Sequence, residues 1–254
     1  KPAWLKIDLT SKKSTGETAG ILAKHHMNTI CTSGLCPNRS ECWMARTATL
    51  MIGGDICTRK CRFCNTLSGR PRLLNPDEPR RVAESVKALK LRYAVITSVD
   101  RDDLPDYGAA HWIKTIEEIR RLSPDTKIEL LIPDFMGKAD LIRQVMATHP
   151  HVAGHNMETV RRLTPSVRSV ARYERSLEVL REIANCGITA KTGFMLGLGE
   201  THDEILETMD DILSTGCQRL TLGQYLQPTA EHLPVKAYIT PEKFAEYKRI
   251  ALEK

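Results

Sequence analysis

The chain has 254 residues, 41% hydrophobic and 27% charged, the balance of a soluble globule and not of a disordered chain. No apolar run approaches the roughly 20 residues of a membrane helix, and Lys1-Pro2-Ala3-Trp4-Leu5-Lys6 is not a secretory signal pattern, so a cytoplasmic protein with no membrane partner is expected. The net charge of +6 is spread among both signs, and 5% aromatic residues are too few for stacking on single strands, so no nucleic-acid partner is expected.

Residues 1–45 show no strong periodicity and read as an N-terminal extension. Thr47 to Ile52 reads as a buried strand ending at Gly53-Gly54. Pro79 suits the first position of a helix, with Asp77 and Glu78 beside its positive end and Val82, Val86 and Leu89 at helical spacing. Tyr93 to Ser98 is the second strand, followed by a helix striped by Ile113, Ile116, Ile119 and Leu122. Ile128 to Ile132 is the third strand, and Leu141, Ile142, Val145 and Met146 stripe the next helix. Val152 to His155 is a short fourth strand, and Leu177, Leu180 and Ile183 mark a helix that Gly187 can cap. Ile188 to Met195 is the fifth strand, Ile205 to Leu213 an amphipathic helix closed by Gly216, and Leu220 to Leu226 the sixth strand. A last helix starts near Pro241 and runs to the end.

Strand–helix alternation repeated in this way predicts right-handed crossovers and a parallel sheet. The expected class is α/β, a partial (β/α)6 barrel short of the eightfold form. The expected division is an extension at 1–45, the barrel at 46–240 and a C-terminal helix at 241–254. In such folds chemistry gathers where strands end. Polar residues cluster there: the Cys57–Cys64 loop, Thr97 to Asp103, His155 to Thr159, Gly197 to Glu200 and Gln227 to Thr229.

Of eight cysteines, six lie between Cys31 and Cys64, in two triplets. Cys31, Cys36 and Cys42 are spaced C-x4-C-x5-C, and Cys57, Cys61 and Cys64 are spaced C-x3-C-x2-C. A disulfide scaffold belongs to short secreted chains, so metal is the expected role. Structural zinc asks for paired CxxC ligands, and only Cys61 and Cys64 form such a pair. Iron–sulfur clusters take four protein ligands as a rule. Two groups of three therefore suggest two clusters, each with one iron free of cysteine, while zinc remains the rival for the first triplet. Cys186 and Cys217 flank glycines at the opposite rim and read as inert buried thiols. His155 reads as a hydrogen-bonded core histidine, and Arg70, Arg72, Arg80 and Arg81 as solvated.

The C-x3-C-x2-C loop after a first barrel strand resembles the radical S-adenosylmethionine superfamily. Together with Cys31/Cys36/Cys42, Thr97-Ser98-Val99-Asp100-Arg101-Asp102-Asp103, His155-Asn156-Met157-Glu158-Thr159-Val160 and Gly197-Leu198-Gly199-Glu200, it resembles the lipoyl synthases within it, from about Trp4 to Phe244. The upstream triplet sets it apart from biotin synthase-like sulfur insertion. The resemblance implies two 4Fe–4S clusters. Cys57, Cys61 and Cys64 would hold the one whose fourth iron binds S-adenosylmethionine, which is cleaved to methionine and a 5′-deoxyadenosyl radical. Cys31, Cys36 and Cys42 would hold an auxiliary cluster that is consumed as sulfur donor. It further implies sulfur insertion at C6 and C8 of an octanoyl-lysine on a lipoyl carrier domain, of the 2-oxoacid dehydrogenase or glycine cleavage H protein type. Electrons would come from a one-electron donor such as ferredoxin or flavodoxin. Phe63 would pack near the adenine. Thr97, Ser98 and Asp100 would meet the methionine amine, Asn156 and Glu158 the ribose or methionine, and Lys191 a carboxylate. The family closes with an Arg-Ser-Ser-Tyr motif whose serine ligates the auxiliary cluster. The sequence stops at Lys254 before any such motif, so a truncated tail is the expectation.

Overall fold

The structure is a computed structural model and describes residues 2–5, 12–25, 27–44 and 47–254. In chain order the elements are α1 (Lys12–Lys24), β1 (Asn28–Thr29), α2 (Ile30–Ser33), α3 (Arg39–Met44), β2 (Thr47–Ile52), β3 (Ile56–Cys57) and β4 (Leu67–Ser68). Then come α4 (Glu78–Ala88), β5 (Tyr93–Ser98), α5 (Ala109–Leu122), β6 (Lys127–Leu131), α6 (Ala139–Met146) and β7 (Val152–Gly154). The chain finishes with α7 (Thr164–Val167), α8 (Tyr173–Asn185), β8 (Thr189–Leu196), α9 (His202–Leu213), β9 (Arg219–Gln224) and α10 (Pro241–Glu253).

The main sheet has seven strands in the order β1-β2-β5-β6-β7-β8-β9. Each of the six strands from β2 to β9 in this sheet lies parallel to its neighbour, and β1 adds antiparallel to β2 at one edge. The six strands are those expected from the sequence, and each boundary falls within two residues of the expected one. The fold is thus a mixed α/β fold with an N-terminal helical extension. The extension carries more structure than its sequence signals, in α1, α2, α3 and β1, and its residues 1, 6–11, 26 and 45 lie outside the described residues.

Alternation along the strands decides what each face does. Ala48, Leu50 and Ile52 of β2, Ala94 and Ile96 of β5, Ile128 and Leu130 of β6, and Ala190, Phe194 and Leu196 of β8 are buried. They share one core with Val82, Val86, Ile116, Ile119, Val145, Leu180 and Ile183 from the helices. The alternate residues, such as Val95, Lys191, Met195 and Thr221, are half-buried or exposed. The helices therefore cover one face of the sheet; on the other, Met51, Thr97 and Glu129 are buried while their neighbours are more open. The α9 start is secured by a capping box between Thr201 and Glu204, which satisfies two otherwise orphaned backbone donors.

Candidate active site

The loop that leaves β2 turns through Gly53 (φ 83°) and Gly54 (φ 97°), a left-handed region that favours glycine. The Glu78 carboxylate accepts both amide protons, at 2.8 Å from Gly53 N and 3.3 Å from Gly54 N, and lies 2.6 Å from His111 Nε2. Burial works to raise the Glu78 carboxyl, yet His111 and the Gly53 N–H hold it below its ordinary value. Glu78 is therefore an anchor for this turn as well as the helix-start acid that the sequence suggests.

Cys57 to Cys64 follows. Its backbone is pinned by Thr58 N to Asp100 O (3.1 Å), Arg62 N to Val167 O (2.9 Å) and Leu233 N to Arg62 O (3.2 Å). Arg59 is buried beneath the loop. It donates from Nε and Nη2 to Asp102 at 2.7 and 2.8 Å, and from Nη2 to Asp134 at 2.6 Å. Arg175 reaches the other Asp134 oxygen at 3.1 Å. Burial opposes charge on Asp134, but Arg59 overcomes it and holds the carboxyl well below the usual carboxylate range.

Cys57, Cys61, Phe63 and Cys64 face a cavity of about 260 Å³ with Thr97, Ser98, Asp100, Asn156 and Glu158. These expected site residues thus come from three separate stretches of chain to one place. Thr97 Oγ1 donates to Leu131 O at 3.1 Å. Cys57 Sγ accepts from the backbone N–H of Arg59 at 3.4 Å and of Asp100 at 3.3 Å. Burial and the Asp100 charge push the Cys57 thiol up to about 12, and burial also raises Cys61. Burial, partly offset by Arg59, lifts the Asp100 carboxyl to about 6. Glu158 has φ 65°, and its backbone pairs with Gly193 and Met195 of β8. This conformation costs a side-chain-bearing residue on the order of 1–3 kcal/mol. Burial raises its carboxyl too.

Two buried polar atoms on this cavity lack a protein partner, Ser98 Oγ and Arg168 Nε. Such atoms await a ligand or are costly. Arg168 was not singled out in the sequence, being one arginine in a polar stretch with no spacing signal. His155 lines the cavity but is engaged elsewhere, with Nδ1 2.9 Å from Ile132 O and Nε2 3.0 Å from Ser176 Oγ. Burial, aided by Arg168, brings it down to about 4, as suits a core histidine.

Lys191 is not brought to the thiols. Its ammonium donates to Glu129 Oε1 at 2.6 Å in a second cavity deeper in the sheet. Gly197–Glu200 and Gln227–Thr229 do not line the thiol cavity either. Glu200 instead accepts from the backbone N–H of Gly197 and Leu198. Of the expected inert buried thiols, Cys217 is buried, but Cys186, which caps the C-terminus of α8, is only half-buried, a correction to that reading. Arg70, Arg72 and Arg80 are exposed, whereas Arg81 is half-buried.

The other triplet sits on the extension. Cys31 is buried on α2, Cys36 follows it, and Cys42 lies on α3. Burial, with Cys36 and Cys31 close by, raises the Cys42 thiol. Ile30 of α2 lines the thiol cavity, and Asn65 Nδ2 donates to Ser33 O at 2.8 Å, which sets the triplets side by side.

All eight cysteines are free. Among the described residues no three His, Cys, Asp or Glu side chains converge on a single metal ion. A cluster asks for something else, since each thiolate takes a different iron. Three thiols around one cavity, backbone N–H groups aimed at Cys57 Sγ, and unpartnered Ser98 and Arg168 atoms fit a cluster with a charged organic ligand beside it. Among the described residues no helix is long and apolar enough to cross a membrane.

Residues 51–212 match the sequence pattern of the Radical SAM superfamily. A lipoyl synthase of Bacteroides fragilis strain YCH46 is 60% identical, over all of this chain and 88% of that protein. A lipoyl synthase of Treponema denticola is 53% identical over the same share of each. Among solved structures, the FeFe-hydrogenase maturase of Carboxydothermus hydrogenoformans has a TM-score of 0.66 at 14% identity, covering 95% of this chain and 64% of that one. Methylornithine synthase has a TM-score of 0.63 at 12% identity, covering 80% and 62%. These structural likenesses speak for the fold alone. The sequence relatives go further: this chain belongs to the lipoyl synthase family of the radical SAM superfamily.

Proposed function

We propose that this chain is the sulfurtransferase that completes the lipoyl cofactor, inserting sulfur at C6 and C8 of an octanoyl group borne on a carrier-domain lysine. The observation that carries the reading is the convergence of the Cys57–Cys64 loop, Ser98, Asp100, Asn156, Glu158 and Arg168 on one cavity, in a chain 60% identical to a lipoyl synthase throughout its length. When bound, a 4Fe–4S cluster and S-adenosylmethionine supply a radical able to take hydrogen from an unactivated C–H bond.

The chain's own residues hold, orient and shield. Cys57, Cys61 and Cys64 are the thiolates for the cluster. The Arg59 and Asp100 N–H groups steady the Cys57 sulfur, and the buried Arg59 network fixes the loop. Phe63 offers its ring to the adenine. Thr97, Ser98 and Asp100 face the methionine amine, and Arg168 Nε offers a cation to its carboxylate. Asn156 and Glu158 meet the ribose hydroxyls. Cys31, Cys36 and Cys42 would hold an auxiliary cluster, which would supply the sulfur. In this reading residues 46–240 form a partial (β/α)6 barrel, 1–45 an extension that carries the second cluster, and 241–254 a C-terminal helix. The work is cytoplasmic. Its partners are an octanoylated lipoyl carrier domain and a one-electron donor of the ferredoxin or flavodoxin type.

The test is anaerobic turnover of the cluster-loaded chain with octanoylated carrier protein, S-adenosylmethionine and reductant, read by mass spectrometry. The reading expects lipoyl product and 5′-deoxyadenosine. Zinc in place of iron and sulfide, or cleavage with no sulfur transferred, contradicts it.

A further inference from the structure

The cysteine loop also has an outer face. Lys60 and Arg62, which flank Cys61, are exposed. The loop rests there on residues 166–169. Arg62 N donates to Val167 O at 2.9 Å, Arg62 Nη1 to Ser166 O at 3.2 Å, and Lys60 N to Ser169 Oγ at 3.1 Å. Ser169 is exposed, yet its Oγ lies 3.8 Å from Cys61 Sγ. It borders a depression of about 640 Å³ together with Arg161, Val170, Arg172 and Glu174.

Charge on this face is one-sided. Residues 160–175 hold five arginines and one acid, Glu174. Arg161 is neutralised by Glu174 and Asp211, Arg162 by Glu204, and Arg175 is engaged by Asp134. Among the described residues, Lys60, Arg62 and Arg172 have no carboxylate within ion-pair reach. Val170, 39% exposed, sets an apolar spot beside them. Unpaired cations beside an apolar spot favour an acidic protein, through steering more than through tight binding.

The carrier domain and the electron donor are the protein partners of the functional reading above, and position separates them. An acyl group must enter the thiol cavity bodily, whereas an electron needs only closeness to a sulfur of the cluster. A protein that touches Ser169 stands one side chain away from the Cys61 sulfur. Electron-transfer encounters are also small, weak and guided by charge.

We propose that Lys60, Arg62, Ser169, Val170 and Arg172 form the docking surface for an acidic one-electron donor protein. The inference rests on the functional reading above and deepens it by giving the donor a place. With a flavodoxin, the anionic flavin hydroquinone gives up one electron and becomes the neutral semiquinone. The cluster on Cys57, Cys61 and Cys64 takes that electron, and no proton moves.

The experiment uses the cluster-loaded chain and an acidic flavodoxin. It reads the Kd of the oxidised donor by calorimetry and the second-order rate of cluster reduction by the photoreduced donor in stopped flow. It also locates zero-length carbodiimide cross-links by peptide mass spectrometry. Arg172→Glu raises Kd and lowers the donor-driven rate about tenfold, while reduction by dithionite, which needs no docking, changes far less. Added salt lowers the donor-driven rate of the unaltered chain steeply, and cross-links to the donor's carboxylates fall on Lys60. A variant that binds and accepts electrons like the unaltered chain, or cross-links confined to other lysines, overturns the proposal. So does weakened binding of octanoylated carrier protein with the donor's affinity intact, which assigns the face to the carrier. If Arg172→Glu does not fold, the cross-linking site and the salt dependence of the unaltered chain decide. A dithionite-reduced chain that cleaves no S-adenosylmethionine overturns the functional reading instead.

Discussion

Replacing Arg59 with methionine keeps much of the side-chain volume and removes the charge on which the cysteine loop is built. Asp102 then loses contacts of 2.7 and 2.8 Å, and the fully buried Asp134 loses one of 2.6 Å. Breaking a buried pair by removing one partner costs about 3–5 kcal/mol, because the other charge is left without compensation. Two features favour the lower end: Arg175 stays 3.1 Å from Asp134, and Asp102 keeps 24% of its side chain in water. We expect a loss of about 3 kcal/mol, or roughly 6–12 °C in Tm for a domain of this size. The acid dependence has a definite sign. Asp134 is depressed in the folded chain, so its contribution is present above the ordinary carboxylate range and is lost as pH falls below it. The gap between the two proteins therefore narrows on acidification. Thermal unfolding of the metal-free chain, followed by circular dichroism at neutral and acid pH, measures both. A variant that melts with the unaltered chain at neutral pH, or a gap that widens in acid, refutes the account of this network.

Other outcomes follow from the same geometry. Glu78→Ala strips Gly53 and Gly54 of their shared acceptor and costs about 1–3 kcal/mol, read by urea unfolding. Because Glu78 is depressed when folded, that contribution fades as pH drops below the carboxylate range. His155 stays neutral down to about 4 when folded, whereas the unfolded chain takes up that proton near 6.5, so stability falls by about 3 kcal/mol between these values. A His155→Gln variant lacks that component of the acid slope in urea midpoints measured against pH. Thr201→Ala removes the cap of α9 and lowers Tm by the equivalent of about 1 kcal/mol.

The strands and long helices were legible because burial is one-sided: period-two runs such as Tyr93–Ser98 and helical stripes such as Ile113 to Leu122 have no other use. The cysteine triplets were legible because spacing alone marks thiols that share a metal. Single residues resisted. Arg168 and Arg59 become site residues only when distant loops fold over them. The Glu129–Lys191 pair forms across the short β7, which β6 and β8 flank. A carboxylate inside the apolar run Ile128 to Leu131, matched by Lys191 in an equally apolar strand, was the signal that could have paired them. The two-residue strands β1, β3 and β4 are too short to carry any period, and α1 has too few apolar residues to stripe.

The central claim is that Cys57, Cys61 and Cys64 alone hold a cluster with one iron open to S-adenosylmethionine. The most direct measurement is electron paramagnetic resonance of the reduced Cys31→Ala/Cys36→Ala/Cys42→Ala variant, reconstituted anaerobically, before and after S-adenosylmethionine is added. The account predicts about half the iron of the unaltered chain and a cluster signal that changes when the ligand arrives. A variant with no cluster, or a signal indifferent to S-adenosylmethionine, contradicts it.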